Sequence, residues 1–191
     1  MKLEKNYFLS DNVVGIAKDL IGKHLFVNIE GVVCGGYITE TEAYAGTTDK
    51  ASHAYQSRRT SRTEVMFKQG GRTYVYLCYG MHPLLNFVTA EENVPHAVLI
   101  RGFCPTHGLE TILSRLGKQS INTSLFNGPG KLTKALGIKT IHNDLDLQGD
   151  QIWVEDLGLK IVERKIEVGP RIGVDYAGSD ALLPYRFLLK Q

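Results

Sequence analysis

The spacing of apolar residues divides the chain into helical and extended stretches. Near the amino terminus Val13, Ile16, Ala17, Leu20 and Ile21 share one side of a 3.6-residue period. They follow Ser10, Asp11 and Asn12, any of which can cap a helix, and precede Gly22, which can end one. A first helix is predicted there. The next stretch, "KHLFVNIEGVVCGGYITETEAY" from Lys23, carries β-prone residues on both sides of Glu30-Gly31, which predicts a hairpin. Gly35-Gly36 within it suggests a bulge or a close backbone approach.

Between Ala45 and Arg72 the periodicity fails. "AGTTDKASHAYQSRRTSRTEVMFKQGGR" is polar and rich in Gly, Ser, Thr and Arg, long enough to predict a functional loop with one helical turn. "TYVYLCYGMHPLLNFVTA" then predicts a second hairpin with an aromatic tip at Tyr79-Gly80-Met81-His82, and Pro83 restricts its second run to an edge or a late start. Downstream, "HAVLIRGF" reads as a short strand, and Leu109, Ile112, Leu113 and Leu116 place a helix in "GLETILSRLG". "NGPGKLTKALGI" reads as a glycine turn entering a helix, and "QIWVED", "KIVERKIEVG", "RIGVDYAG" and "PYRFLLK" as further short strands. The pattern predicts an α+β fold: one domain over residues 1–191, a largely antiparallel curved sheet with flanking helices, and a protruding β-hairpin.

Composition narrows the classes. A chain of 191 residues with 43% hydrophobic content suffices for one core, and a net charge of +2 neither demands nor excludes a polyanionic partner. Cys34, Cys78 and Cys104 are odd in number and lack C-x-x-C spacing, which predicts reduced thiols in a cytoplasmic protein and argues against a zinc site. No apolar run has signal-peptide or membrane-spanning character, so no membrane partner is expected. "GPGK" at Gly128 lacks Walker A spacing, none of the six histidines sits in H-E-x-x-H, and no G-x-S-x-G precedes a helix.

The candidate chemistry lies elsewhere. Glu40 and Glu42 lie two strand residues apart, about 7 Å of rise, which places both carboxylates on one face at a separation used by inverting glycosidases. Taken alone, the pair is better explained by a solvated face or a salt bridge to a neighbouring strand. The setting shifts the balance: Tyr44 shares the face, His53 lies in the following loop, and Tyr74, Tyr76 and Tyr79 lie on the second hairpin. Cross-strand packing would account for those tyrosines singly, but rings beside a carboxylate also suit a flat nucleobase stacked above a water-activating acid. Arg58, Arg59 and Arg62 in "SRRTSRT" lie among hydroxyls, a composition for phosphate contacts or for a solvated loop.

Taken together, "ETEAY", His53, "MF", "YVYLCYGMHPLLN", "LIRG" and "NGPGKLTKALGI" resemble the alkyladenine, or 3-methyladenine, DNA glycosylase family, and the resemblance covers nearly the whole chain. It implies an enzyme, expected to act as a monomer without metal or organic cofactor, that flips alkylated or deaminated purines from double-stranded DNA and hydrolyses the N-glycosidic bond. By motif, Glu42 would be the general base, and Arg101 would help it hold the attacking water. Tyr44, His53 and Tyr76 would form the stacking walls, Asn86 would disfavour the 2-amino group of guanine, and Tyr79 would wedge into the duplex. Arg58, Arg59 and Arg62 would meet phosphates, and Glu40 would be structural. His82-Pro83, just beyond the wedge, departs from the family pattern and bears on lesion preference. The alternatives are a non-catalytic nucleic-acid-binding module of the same fold and a nucleoside or glycoside hydrolase using the carboxylate pair.

Overall fold

The computed structural model describes residues 1–120 and 126–190. Among the described residues its centre is an open, eight-stranded antiparallel sheet in the order β3 (Arg72–Cys78), β4 (His82–Thr89), β5 (His96–His107), β2 (Val32–Tyr44), β1 (His24–Ile29), β6 (Ile152–Glu155), with β8 (Arg186–Leu189) joined to β2 and β7 (Ile166–Gly169) joined to β8. β1 (His24–Ile29) and β2 (Val32–Tyr44) form the first predicted hairpin. Glu30 and Gly31 turn it with φ of 55° and 82°, the left-handed conformations that a two-residue loop needs to match the twist of its strands.

β2 is thirteen residues long and has neighbours along both edges. One edge pairs with β5 (His96–His107), and the other pairs first with β1 and then, at Glu40–Glu42, with β8 (Arg186–Leu189). The register against β5 shifts between Gly35 and Gly36, where a Cβ on Gly36 would lie 1.9 Å from the Cys104 carbonyl oxygen. The predicted close approach is therefore real, and only glycine permits it.

Helix α1 (Val13–Asp19) is capped by Asn12, whose side chain accepts the Gly15 N–H, and it buries Val13, Ile16 and Ala17 on the sheet. Thr41 reaches across to it, its hydroxyl donating to the Ala17 carbonyl at 2.7 Å. Because neighbours on a strand face opposite ways, Thr41 pointing at α1 sends Glu40 and Glu42 to the other side. Helices α2 (Leu109–Leu116) and α3 (Pro129–Leu136) pack together, and α3 lies against β4 and β5 through Leu132, Ala135 and Leu136.

The second hairpin joins β3 (Arg72–Cys78) to β4 (His82–Thr89) through Tyr79, Gly80 and Met81. Its end projects past the sheet: β4 pairs with β3 along its whole length but meets β5 only from Asn86 onward. Pro83 falls in the stretch paired on one side, where its missing N–H breaks no ladder with β5.

Three expectations need correction. "RIGVDYAG" is not a strand but a turn running into 3-10 helix at Asp175–Leu182, with positive φ at Gly173 and Gly178 that an extended chain cannot adopt. In "KIVERKIEVG" only β7 (Ile166–Gly169) is extended, after a 3-10 turn at Glu163–Lys165. "HAVLIRGF" continues through Cys104, Pro105 and Thr106 to His107, because β2 is long enough to pair with all of it. β6 (Ile152–Glu155) closes the far edge beside β1. Among the described residues no helix is long and apolar enough to cross a membrane.

Candidate active site

Glu42 and Tyr44 stand on one face of β2, above the strand's pairing with β5, which carries Arg101 on the same side. Glu42 is 0% exposed, and each carboxylate oxygen is held. One accepts the Ile172 N–H at 2.8 Å and lies 3.4 Å from the Arg101 Nε; the other accepts the Tyr44 hydroxyl at 2.9 Å. Burial pushes the carboxyl above its ordinary value, and the Arg101 charge, the Ile172 N–H and the Tyr44 hydroxyl each pull it back without cancelling the rise.

Glu40 is tied to two guanidinium groups, Arg101 at 3.0 Å and Arg186 at 2.6 Å. Its place is to anchor Arg101 where that side chain can also reach Glu42. Two carboxylates thus share one arginine, and the second arginine balances the charge of the cluster.

Tyr44, Arg101 and Ile172, the three neighbours that enclose Glu42, line a cavity of about 500 Å³ together with His53, Tyr76, Tyr79 and Asn86. His53 stands edge-on to Tyr76, ring centres 4.7 Å apart, and its Nδ1 shares a hydrogen bond with the Tyr74 hydroxyl at 2.9 Å. Arg62 lies over the Tyr76 ring at 4.6 Å and reaches His53 Nε2 at 3.3 Å. Burial and the charges of Arg62 and Arg58 push the His53 imidazole down to about 4, so it is neutral at physiological pH. Asn86 donates through its amide nitrogen to the Tyr74 and Leu84 carbonyls at 3.1 and 3.4 Å, which fixes the amide plane at the cavity wall. Tyr79, at the hairpin tip, is 86% exposed with φ of 50°.

A model of the methylpurine-DNA glycosylases matches residues 7–191. The chain belongs to that family. It is a DNA glycosylase, a hydrolase of base-excision repair. A Chlamydia felis protein named as a candidate 3-methyladenine DNA glycosylase is 45% identical over 188 residues, covering 98% of this chain and 95% of the relative. A Bacillus cytotoxicus protein of the same name is 42% identical over 188 residues, covering 94% of this chain and 92% of its own.

Of the residues singled out in the sequence of this glycosylase, the structure places six on the wall of one cavity, Tyr44, His53, Tyr76, Tyr79, Asn86 and Arg101, with Glu42 buried directly behind Tyr44 and Arg101. The three loop arginines part company. Arg62 joins the cavity wall, and Arg58 is exposed in an adjoining trough that also contains Lys50. Arg59 is held by both Glu64 oxygens at 2.7 and 2.9 Å and lies over Phe67, so its charge is matched within the loop.

Sequence reasoning missed the support beneath Tyr44. Arg171, fully buried, grips both oxygens of Asp49, donates to the Ala43 carbonyl and lies 4.8 Å from the Tyr44 ring centre and 5.3 Å from that of Tyr185. The next residue, Ile172, supplies the N–H that holds Glu42. Arg171 therefore fixes the Tyr44 ring and the Glu42 carboxylate together. Among the described residues no cluster of His, Cys, Asp and Glu could hold a metal ion, and the three cysteines are free thiols.

Proposed function

We propose that the glycosylase removes alkylated or deaminated purines, of the 3-methyladenine, 7-methylguanine and hypoxanthine type, from double-stranded DNA by water attack assisted by Glu42. The observation that carries this reading is a fully buried carboxylate behind the wall of an aromatic-lined cavity large enough to admit a purine, with an exposed tyrosine on its rim. A carboxylate accepts about four hydrogen bonds, and the Ile172 N–H and the Tyr44 hydroxyl take two, with the Arg101 Nε an ion-pair neighbour at 3.4 Å. Because Glu42 is closed from solvent, the attacking water reaches its remaining acceptor sites only as the side chains over it shift on entry of the nucleotide.

Glu42 takes a proton from that water as its oxygen bonds to the deoxyribose C1′ and the bond from C1′ to the base breaks. The carboxylate also opposes the positive charge that grows on the sugar. Arg101, anchored on Glu40, orients the water and favours the ionised form of Glu42 against the effect of its burial. The everted base stacks between Tyr44 on one side and His53 with Tyr76 on the other. Tyr79 fills the gap in the duplex, Asn86 disfavours a purine 2-amino group, and Arg58 with Arg62 meets the phosphates of the flipped strand. Arg59, already paired with Glu64, adds a phosphate contact only if that pair opens. The enzyme acts as a monomer in the cytoplasm, where its thiols stay reduced, and it uses no metal or organic cofactor.

A hydrolase employing Glu40 and Glu42 as an acid and base pair is disfavoured because Glu40 is not on the cavity wall and its Oε1 is engaged by both Arg101 and Arg186. The test is purified protein incubated with duplexes that each carry one lesion, read as abasic-site formation. Abasic sites at alkylated purines or hypoxanthine, and none in undamaged duplex, are expected. Binding without excision from any lesion would leave only the non-catalytic module.

A further inference from the structure

The β3–β4 hairpin has two flanks, and only one of them faces the cavity. On the other lies a groove of about 480 Å³ bounded by Met81 and His82 of the hairpin, Glu30 of the β1–β2 turn, Arg115 of α2, Lys134 of α3 and Lys139 just beyond it. No residue lines both spaces. Three cations face one carboxylate in this groove. Lys134 and Lys139 are exposed, and the lysine ion pairs among the described residues belong to Lys18, Lys23, Lys68 and Lys190 instead.

We propose that this groove receives the sugar–phosphate backbone of the strand opposite the lesion, an inference that rests on Tyr79 acting as the wedge. A wedge that enters a duplex through one of its grooves lies between two backbones. The flank with the cavity takes the strand that carries the everted nucleotide, so the opposite flank meets the complementary strand. Met81, 68% exposed, stands on that flank beside the tip. The cations keep a fixed distance from the wedge because the Thr133 hydroxyl on α3 donates to the Pro83 carbonyl at 2.7 Å, locking α3 to the hairpin. The lining suits a phosphodiester chain: the exposed Lys134 and Lys139 ammonium groups can meet phosphates, and His82 alone supplies an aromatic ring on which a base could stack.

The test compares wild type with the double variant Lys134→Gln/Lys139→Gln on duplexes carrying a stable abasic analogue. The duplexes are unmodified, or have uncharged methylphosphonate linkages in the complementary strand, or have them in the damaged strand. On unmodified duplex the variant should bind more weakly, and the slope of log affinity against log salt should fall by about 1 per lysine. On the duplex with a neutralised complementary strand, wild type and variant should bind alike; with a neutralised damaged strand, their difference should persist. A difference that vanishes only when the damaged strand is neutralised, or a variant that binds unmodified duplex as tightly as wild type, overturns the proposal. Both lysines are exposed, so the variant should melt with wild type. Binding to an abasic analogue requires no turnover, so failure of the Glu42 assignment would leave this result standing, and failure here would leave that assignment untouched.

Discussion

Replacing Glu42 by Gln separates the chemistry of this site from its architecture. The carboxamide has nearly the shape of the carboxylate, and every partner can be kept. Its oxygen can continue to accept from the Ile172 N–H, and its NH2 group can face the Tyr44 hydroxyl, which turns from donor to acceptor. Arg101 retains Glu40 at 3.0 Å. The geometry should therefore survive while the ability to take a proton is lost, and with it about 10²- to 10⁴-fold in the excision step, on the order of 3–5 kcal/mol of barrier. Stability should move the other way. Because the Glu42 value is raised by folding, its share of stability is fully present below the ordinary carboxylate value and is lost as pH rises through the raised one. At neutral pH the wild type carries that penalty and the variant does not, so Glu42→Gln should melt at or above the wild-type temperature there and lose this advantage in acid. The same shift places the acid limb of wild-type excision above the usual carboxylate range. Single-turnover release of hypoxanthine or 3-methyladenine, with thermal melts at pH 7 and pH 4, measures all three. Excision by the variant within tenfold of wild type would show that Glu42 is not the base.

Tyr79→Ala should cost excision from duplex DNA more than excision from flexible single strands carrying the same lesion; equal losses in a paired assay would mean that Tyr79 does not wedge. Asp49→Ala strands a fully buried guanidinium, a change that costs about 3–5 kcal/mol and should lower the melting temperature by roughly 6–20 °C; a melt within 2 °C or so of wild type would contradict the account of that pair. Gly36→Ala forces β2 away from β5 at the Cys104 carbonyl and should cost about 3 kcal/mol or more in chemical denaturation, whereas an unchanged midpoint would mean that the bulge relaxes freely.

The parts of the fold that follow local rules were legible in the sequence. The Asn12 cap, the Glu30-Gly31 turn, the Gly35-Gly36 bulge and the aromatic hairpin tip each depend on residues within a few positions of one another. So too was the spacing that puts Glu40, Glu42 and Tyr44 on one face. What stayed hidden depends on partners far apart in the chain. Asp49 and Arg171 lie 122 positions apart, and Glu42 and the Ile172 N–H 130 apart, and no periodicity marks either pair. "RIGVDYAG" misled for the same reason: its β-prone residues suggested a strand, but the long-range grip on Arg171 and the glycines at positive φ dictate a turn. The structure gives Glu40, read from sequence only as structural, the particular task of holding Arg101.

β2 is flanked on both edges where it carries Glu42, by β5 on one side and β8 on the other. Amides embedded in this way exchange with solvent only when most of the protein opens. The carboxylate proposed to activate water thus stands on the most firmly paired part of the sheet, and the loops and hairpin tip around it lack such pairing on both sides. Warming or mild denaturant should therefore leave Glu42 and Arg101 in place on the sheet until the molecule as a whole gives way, whereas the loop with His53 and the tip with Tyr79 can loosen earlier.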